Sequence, residues 1–304
     1  MKFSTISGFT AILFAALALV PSKTTAQPPG RCTFSTIDYP GAASTAARSS
    51  TWLRINDQGN ILGGYEDASG KGHGFLLSNG VFLTVDGFDA SELGDINSQG
   101  DILGDYLDDK SNLFGYMMHR GSLTKIAFPD AVETSPNSIN DDGTIVGYYT
   151  LADGRRHGYI LRDGIFNSFD VPDANFTVAS AINNLGMIVG IASRASALGP
   201  DLFVPGNTHG YILNNGEFTL VDVPGAVFTV AIDVNSHGHI VGRYNTPDGR
   251  AHGYLLEHSR FSGIDVPGST LSFATGINSH GDIVGKYQSM DGIFHGYLLK
   301  CSGR

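Results

Sequence analysis

One pattern, Asn-x-x-Gly-x-Ile-x-Gly, recurs six times along the chain, starting at Asn56, Asn97, Asn140, Asn183, Asn235 and Asn278. Every copy keeps all four named positions, and successive starts lie 41, 43, 43, 52 and 43 residues apart. A fixed period of this length means one supersecondary unit repeated, each copy burying its apolar face against the next. A second signature, His-Gly-Tyr/Phe, keeps step at His73, His157, His209, His252 and His295, and copy two has Phe114-Gly115-Tyr116 in that place. A third, Phe-x-x-Ile/Val/Phe-Asp, spans Phe34–Asp38, Phe82–Asp86, Phe166–Asp170, Phe218–Asp222 and Phe261–Asp265, with a weaker Leu123–Ala127 in copy three.

Each unit reads as four short strands. In the fourth copy they are expected over Thr177–Asn183, Met187–Ile191, His209–Leu213 and Phe218–Asp222. Asn-x-x-Gly joins the first two as a hairpin, because Asn bonds its own turn and Gly takes the positive-φ position. Asn214-Asn215-Gly216 and its equivalents join the third and fourth. Asp-x-Pro links such as Asp222-Val-Pro then end the unit, since proline cannot donate to a ladder. No stretch shows a sustained 3.6-residue apolar period, so little helix is expected. Four antiparallel strands per repeat of this length make the blade of a β-propeller. The fold class is therefore all-β, a six-bladed β-propeller, with the first strand of each blade nearest the axis.

The chain ends agree with a closed ring. The last unit stops after His295–Leu299 without its fourth strand, and a spare one, Phe34–Asp38, stands at the start. In intact copies the fourth-strand aromatic falls nine residues after the histidine, as from His252 to Phe261. Seating Phe34 nine places after His295 puts Cys32 beside Cys301. These are the only two cysteines of the chain, and a disulfide between them is predicted.

Lys2, the mostly apolar run Ile6–Val20 and the small residues Thr24-Thr25-Ala26 have the layout of a secretory signal. The segment 1–26 is read as that signal, and 27–304 as a single propeller domain. The apolar run is shorter than the ~20 residues a membrane span requires, and no later run is longer, so no membrane insertion is expected. An exported chain permits the disulfide. The expected location is extracellular or periplasmic. A formal charge of −10 repels phosphate backbones, so no nucleic-acid partner is expected.

Ala181-Ile182-Asn183, Gly276-Ile277-Asn278 and His252-Gly253-Tyr254 resemble the HAF family of extracellular bacterial repeats, whose units read roughly Ala-Ile-Asn-x-x-Gly-x-Val-Val-Gly followed by His-Ala-Phe. The resemblance covers nearly all of 32–301. It implies a secreted repeat protein and brings no reaction with it.

The repeated histidines and aspartates are expected to be structural: a ring of equivalent positions is spread round a propeller and cannot converge on one ion. No Gly-x-Ser-x-Gly elbow, phosphate loop, Cys-x-x-Cys or His-Glu-x-x-His occurs. No catalytic residue, metal ligand or cofactor is assigned. The variable links between second and third strands remain, together with the copy-four expansion over 192–208. Tyr65, Tyr106, Tyr149, Tyr244 and Tyr287 end five second strands, and Arg155, Arg194 and Arg250 lie on the links; these eight are the candidate binding residues. Tyrosine offers both an apolar face and a hydroxyl to a ligand, but it can equally fill space between blades. The expectation is a monomeric, secreted, non-catalytic binding or scaffold protein for a glycan or protein. The alternative is an extracellular carbohydrate-active hydrolase or lyase, with carboxylates or histidines converging on the axis from unequal blades.

Overall fold

The computed structural model describes residues 31–46, 52–85, 92–108, 112–194 and 205–302. The segment 1–26 and most of the copy-four expansion lie outside them. The described residues form strands and no helix. Blade 5 shows the unit whole: Phe228–Val234, Ile240–Asn245, Ala251–Glu257 and Arg260–Ile264, each antiparallel to its neighbour. In blade 4 the strands are Phe176–Ile182, Ile188–Ser193, Thr208–Asn214 and Glu217–Val221, within two residues of the sequence expectation.

The motif's two glycines act by different means. The first closes the hairpin, as at Gly186 with φ 80°, a conformation glycine enters without a Cβ clash. The second admits close packing. A Cβ at Gly190 would overlap the Val178 carbonyl and the Tyr211 ring, and one at Gly242 the Val230 carbonyl and the Tyr254 ring. Those tyrosines, the last residue of His-Gly-Tyr, are wholly buried, and their hydroxyls donate to the same carbonyls at 3.1 and 3.2 Å.

Apolar clusters join each blade to the next. Leu62 of blade 1 packs on Ile96 and Ile102 of blade 2. Leu103 carries the contact into blade 3, Val146 into blade 4, and Ala181 and Val189 into blade 5. Val241 and Leu255 reach blade 6, and Val284 returns to Leu53, Ile61 and Phe75 of blade 1. Among the described residues no ladder runs right round the ring. Closure is made by these cores and by side chains at the axis.

The expected strand exchange is present. Arg31–Ile37 pairs antiparallel with Phe294–Ser302, from Arg31 opposite Ser302 to Ile37 opposite Gly296, and Cys32 is disulfide-bonded to Cys301.

Blade 1 departs from the expected four even strands. Its first strand is two short pieces, Ser44–Thr45 and Arg54–Ile55, both paired with Ile61–Glu66. Ser44, opposite Glu66, precedes Asn56 by twelve residues, whereas Phe176, in the equivalent place, precedes Asn183 by seven. Pairing with the second strand therefore stops at Thr45 and resumes at Arg54.

Candidate functional site

The axis has two ends of different chemistry. At the end formed by the Asn-x-x-Gly turns, each motif asparagine donates its side-chain amide to the backbone carbonyl of the next. Asn56 reaches Asn97 at 3.0 Å, Asn97 reaches Asn140 at 3.3 Å, and Asn140 reaches Asn183 at 3.3 Å. Asn183 reaches Asn235 at 2.9 Å, Asn235 reaches Asn278 at 3.0 Å, and Asn278 returns to Asn56 at 3.4 Å. The Oδ1 of each caps its own turn, as where Asn235 accepts from His237 and His239 N–H. One residue type therefore satisfies the turn and closes the ring.

Two places before each asparagine the copies diverge: Arg54, Asp95, Ser138, Ala181, Asp233 and Gly276. Six copies of one long side chain could not share an axis. Arg54 crosses it, buried, and donates to the carbonyls of Gly94, Ser180, Ile232 and Thr275, four other blades. Asp95 and Asp233 flank it. Burial raises both carboxyls, against the pull of the Arg54 charge, and carries Asp233 up to about 6. Asp233 accepts from its neighbour Val234 and from Ile277 N–H of blade 6; Asp95 accepts from Ile96 and from Ile139 N–H of blade 3. These carboxylates converge from unequal blades, but they are spent stapling each blade to the next. The cavity beside them is about 70 Å³, room for a few waters and well below a ligand pocket of roughly 300 Å³ or more.

The loop end of the axis is aromatic and charged. Phe176, Val178 and Ile191 of blade 4 meet Phe228, Val230 and Ile232 of blade 5, with Tyr148 and the single tryptophan, Trp52, against them. Arg156 lies over the Tyr148 and Phe176 rings at 4.5 and 4.9 Å. Arg243 lies over Phe228 and Phe273 at 5.4 and 4.8 Å, and Lys286 over Phe273 and Phe294 at 5.8 and 5.7 Å. Desolvation brings the Arg243 guanidinium down to about 10. Glu133 accepts from Tyr148 Oη at 2.9 Å and Arg156 Nη2 at 3.3 Å, and burial pushes the Tyr148 phenol up, keeping it a donor.

The sequence passes close to this cluster without revealing it. The residue after the motif's last glycine is Gly64, Asp105, Tyr148, Ile191, Arg243 or Lys286, different in every copy. That loss of repetition inside an otherwise strict motif is the signal that could have found it.

The tyrosines singled out from sequence stand one position further on, inside the blades. Tyr65 stacks on Tyr39 at 3.7 Å, and Tyr149 on Phe128 at 3.6 Å. Tyr65, Tyr149, Tyr244 and Tyr287 each also stack on their blade's His-Gly-Tyr/Phe histidine at 5.1–5.2 Å. Tyr106 faces Phe114 at 6.3 Å. Among the described residues no ring contact joins two of these five, so the fold distributes them round the ring. Arg155 and Arg250 are exposed on turns held by Asp153 and Asp248. Arg194, also exposed, reaches Asp173 at 3.8 Å, at the root of the copy-four expansion. On the other side of that expansion Gly206 N–H bonds the Val227 carbonyl, next to Phe228 of the axial cluster.

Four of the five repeated histidines pair with an aspartate of the adjacent fourth strand, and His73 instead places Nε2 3.3 Å from Asp67. His157, His209, His252 and His295 each place Nδ1 within 3.0 Å of Asp170, Asp222, Asp265 and Asp38. The Asp222 hydrogen bond raises His209.

No family model matches the chain, and no curated protein does. Solved structures resemble it in shape. AofleA from Arthrobotrys oligospora aligns over 88% of this chain and 86% of its own, at 14% identity and TM-score 0.52. A variant of Aleuria aurantia lectin in complex with Fucalpha1-6GlcNAc aligns over 86% and 94%, at 11% identity and TM-score 0.53. Another structure of that lectin is described as a six-bladed β-propeller with a novel fucose recognition mode. TolB from Acinetobacter baumannii aligns over 82% of this chain and 63% of its own, at 13% identity and TM-score 0.51. The chain is a β-propeller. At these identities the likeness extends to the fold alone.

Proposed function

We propose that this is an exported, non-catalytic binding propeller that takes a glycan on its loop face, over the axial mouth. The observation that carries the reading is the joint cluster of Trp52, Tyr148, Arg156, Phe176 and Phe228, which gathers apolar faces and charged donors from several blades at one place. Aromatic faces suit the C–H faces of a sugar ring, and the Glu133–Arg156 pair beside them suits its hydroxyls. The copy-four expansion starts and ends beside this mouth. The lectin likeness supports the same class of ligand. Export and membership of the HAF repeats belong to this reading, on the leader layout and the two repeat signatures.

The test is a glycan array probed with the mature chain, followed by calorimetry on any sugar that binds. Trp52→Ala and deletion of 195–205 are each expected to weaken binding at least tenfold, while Arg120→Ala, on the turn face, leaves it unchanged. Absence of any bound glycan, or binding indifferent to both loop-face changes, overturns the reading.

A further inference from the structure

At the turn face of blade 5, His239, Glu257 and His258 bring one ligand atom each to within 4.8 Å of one another. His239 immediately precedes the second strand, and the pairing of Ile240 with Leu256 sets it opposite Glu257. Its backbone is fixed by the Asn235 amide oxygen at 3.0 Å. His258 is delivered by the hairpin turn that follows Glu257.

The other blades show what is ordinary here. Blade 2 holds Asp101 against His119 at these two positions, and blade 6 holds Asp282 against Lys300 at 3.3 Å. An acid facing a base across the sheet is thus a repeated device, and His239 with Glu257 follows it. His258 is the addition. The corresponding turns run Asn79-Gly80, Arg120-Gly121, Asp163-Gly164 and Asn215-Gly216, each with glycine second. Blade 5 has His258 at φ 48° and Ser259 at φ 62° instead. A serine in that conformation costs on the order of 1 kcal/mol. The adjacent His237, whose ring lies 5.8 Å from His239, makes a His-Gly-His sequence with it. Three of the chain's ten histidines therefore gather at one edge of one blade.

We infer that His239, Glu257 and His258 form a binding site for a divalent transition-metal ion of the zinc type. Two imidazoles and a carboxylate are a donor set that zinc accepts, with bonds of about 2.0–2.2 Å. Donors on a tetrahedral ion then stand about 3.4 Å apart, so the side chains need to close by little more than an ångström. His258 is exposed, and its ring already stands edge-on to that of His239 at 5.6 Å. The fourth position faces solvent. Binding uses both imidazoles in their neutral form. The Arg260 cation, opposite Glu257 in the hairpin register, is the charge that opposes it. The site is separate from the axial mouth and does not depend on the glycan reading.

The test is calorimetric titration of the mature, disulfide-bonded chain with zinc chloride at pH 7.4, with a thermal melt beside it. One saturable site per chain and a zinc-dependent rise in Tm are expected. His258→Asn keeps a residue that tolerates the turn and is expected to weaken zinc binding at least tenfold; Glu257→Gln, which keeps the side chain's size, is expected to do the same. His280→Asn, in the turn of blade 6, is expected to bind as the parent does. No saturable heat in the parent chain, or affinity unchanged in both His258→Asn and Glu257→Gln, overturns the site.

Discussion

In blade 5 the third strand passes into the fourth through the turn Glu257–Arg260; in blade 6 the corresponding strands, Phe294–Ser302 and Arg31–Ile37, come from opposite ends of the chain. Their interiors nevertheless match. His252 meets Asp265 at 3.0 Å and His295 meets Asp38 at 3.0 Å. Phe261 stands edge-on to Tyr254 at 5.4 Å, and Phe34 to Tyr297 at 5.4 Å. A blade is therefore specified by its side chains and indifferent to where the backbone is cut. What the cut changes is entropy, because nothing but the disulfide holds the two ends of blade 6 together in the unfolded chain.

That difference can be broken most forcefully at the bridge. Cys301→Ser frees a separation of 269 residues, for which the chain-entropy model gives an upper figure of about 5 kcal/mol. A fall in Tm on the order of 10 °C is expected, read by calorimetry. An unchanged melt would mean that the disulfide adds nothing to the strand exchange.

Next come the matched aromatics. Phe34→Ala and Phe261→Ala each remove a half-buried ring, and about 2–3 kcal/mol is expected for both while the disulfide is intact. In reduced protein Phe34→Ala should open blade 6 locally, seen as faster amide exchange over 294–299, whereas Phe261→Ala should not. Equal exchange in the two variants would erase the distinction between the blades.

Asn278→Ala tests the ring, since Asn278 donates to Asn56 and accepts from His280 and Asp282 N–H. Leaving such buried groups unmet costs about 2 kcal/mol. Asn235→Ala, between two covalently continuous blades, should cost the same overall without loosening the contact between blades 6 and 1.

The smallest effect is electrostatic. Asp222 raises His209, so their pairing stabilises fully below the ordinary histidine range near 6.5 and is lost as pH climbs through the raised value. Both groups are partly exposed, and well under about 1 kcal/mol is expected. A double-mutant cycle at pH 5.5 and pH 9 measures it; a coupling larger at pH 9 would reverse the sign.

Much of this architecture is legible in residue order alone. Strand ends in blade 4 fall within two residues of expectation because turn residues punctuate every hairpin. The disulfide is legible because a nine-residue spacing inside intact copies transfers to the broken one. Blade 1 is less so: nothing in Ser44–Asn56 announces that its first strand pairs in two separate pieces. The candidate tyrosines illustrate a one-residue ambiguity. Along a strand neighbours face opposite sides, so Tyr149 stacks within blade 3 on Phe128 while Tyr148 faces Glu133, Arg156 and the axial cluster.

Repetition of short-range rules, which residues turn, which pack and which lie opposite one another, was enough to dictate six like blades and the seam between chain ends. What gathers at the axis was decided only in three dimensions. There Arg54 meets carbonyls of four other blades, and Trp52 packs against the cluster that blades 4 and 5 share. These partners lie far apart along the chain, and each contact exists only once the ring has closed and brought all six copies to one point.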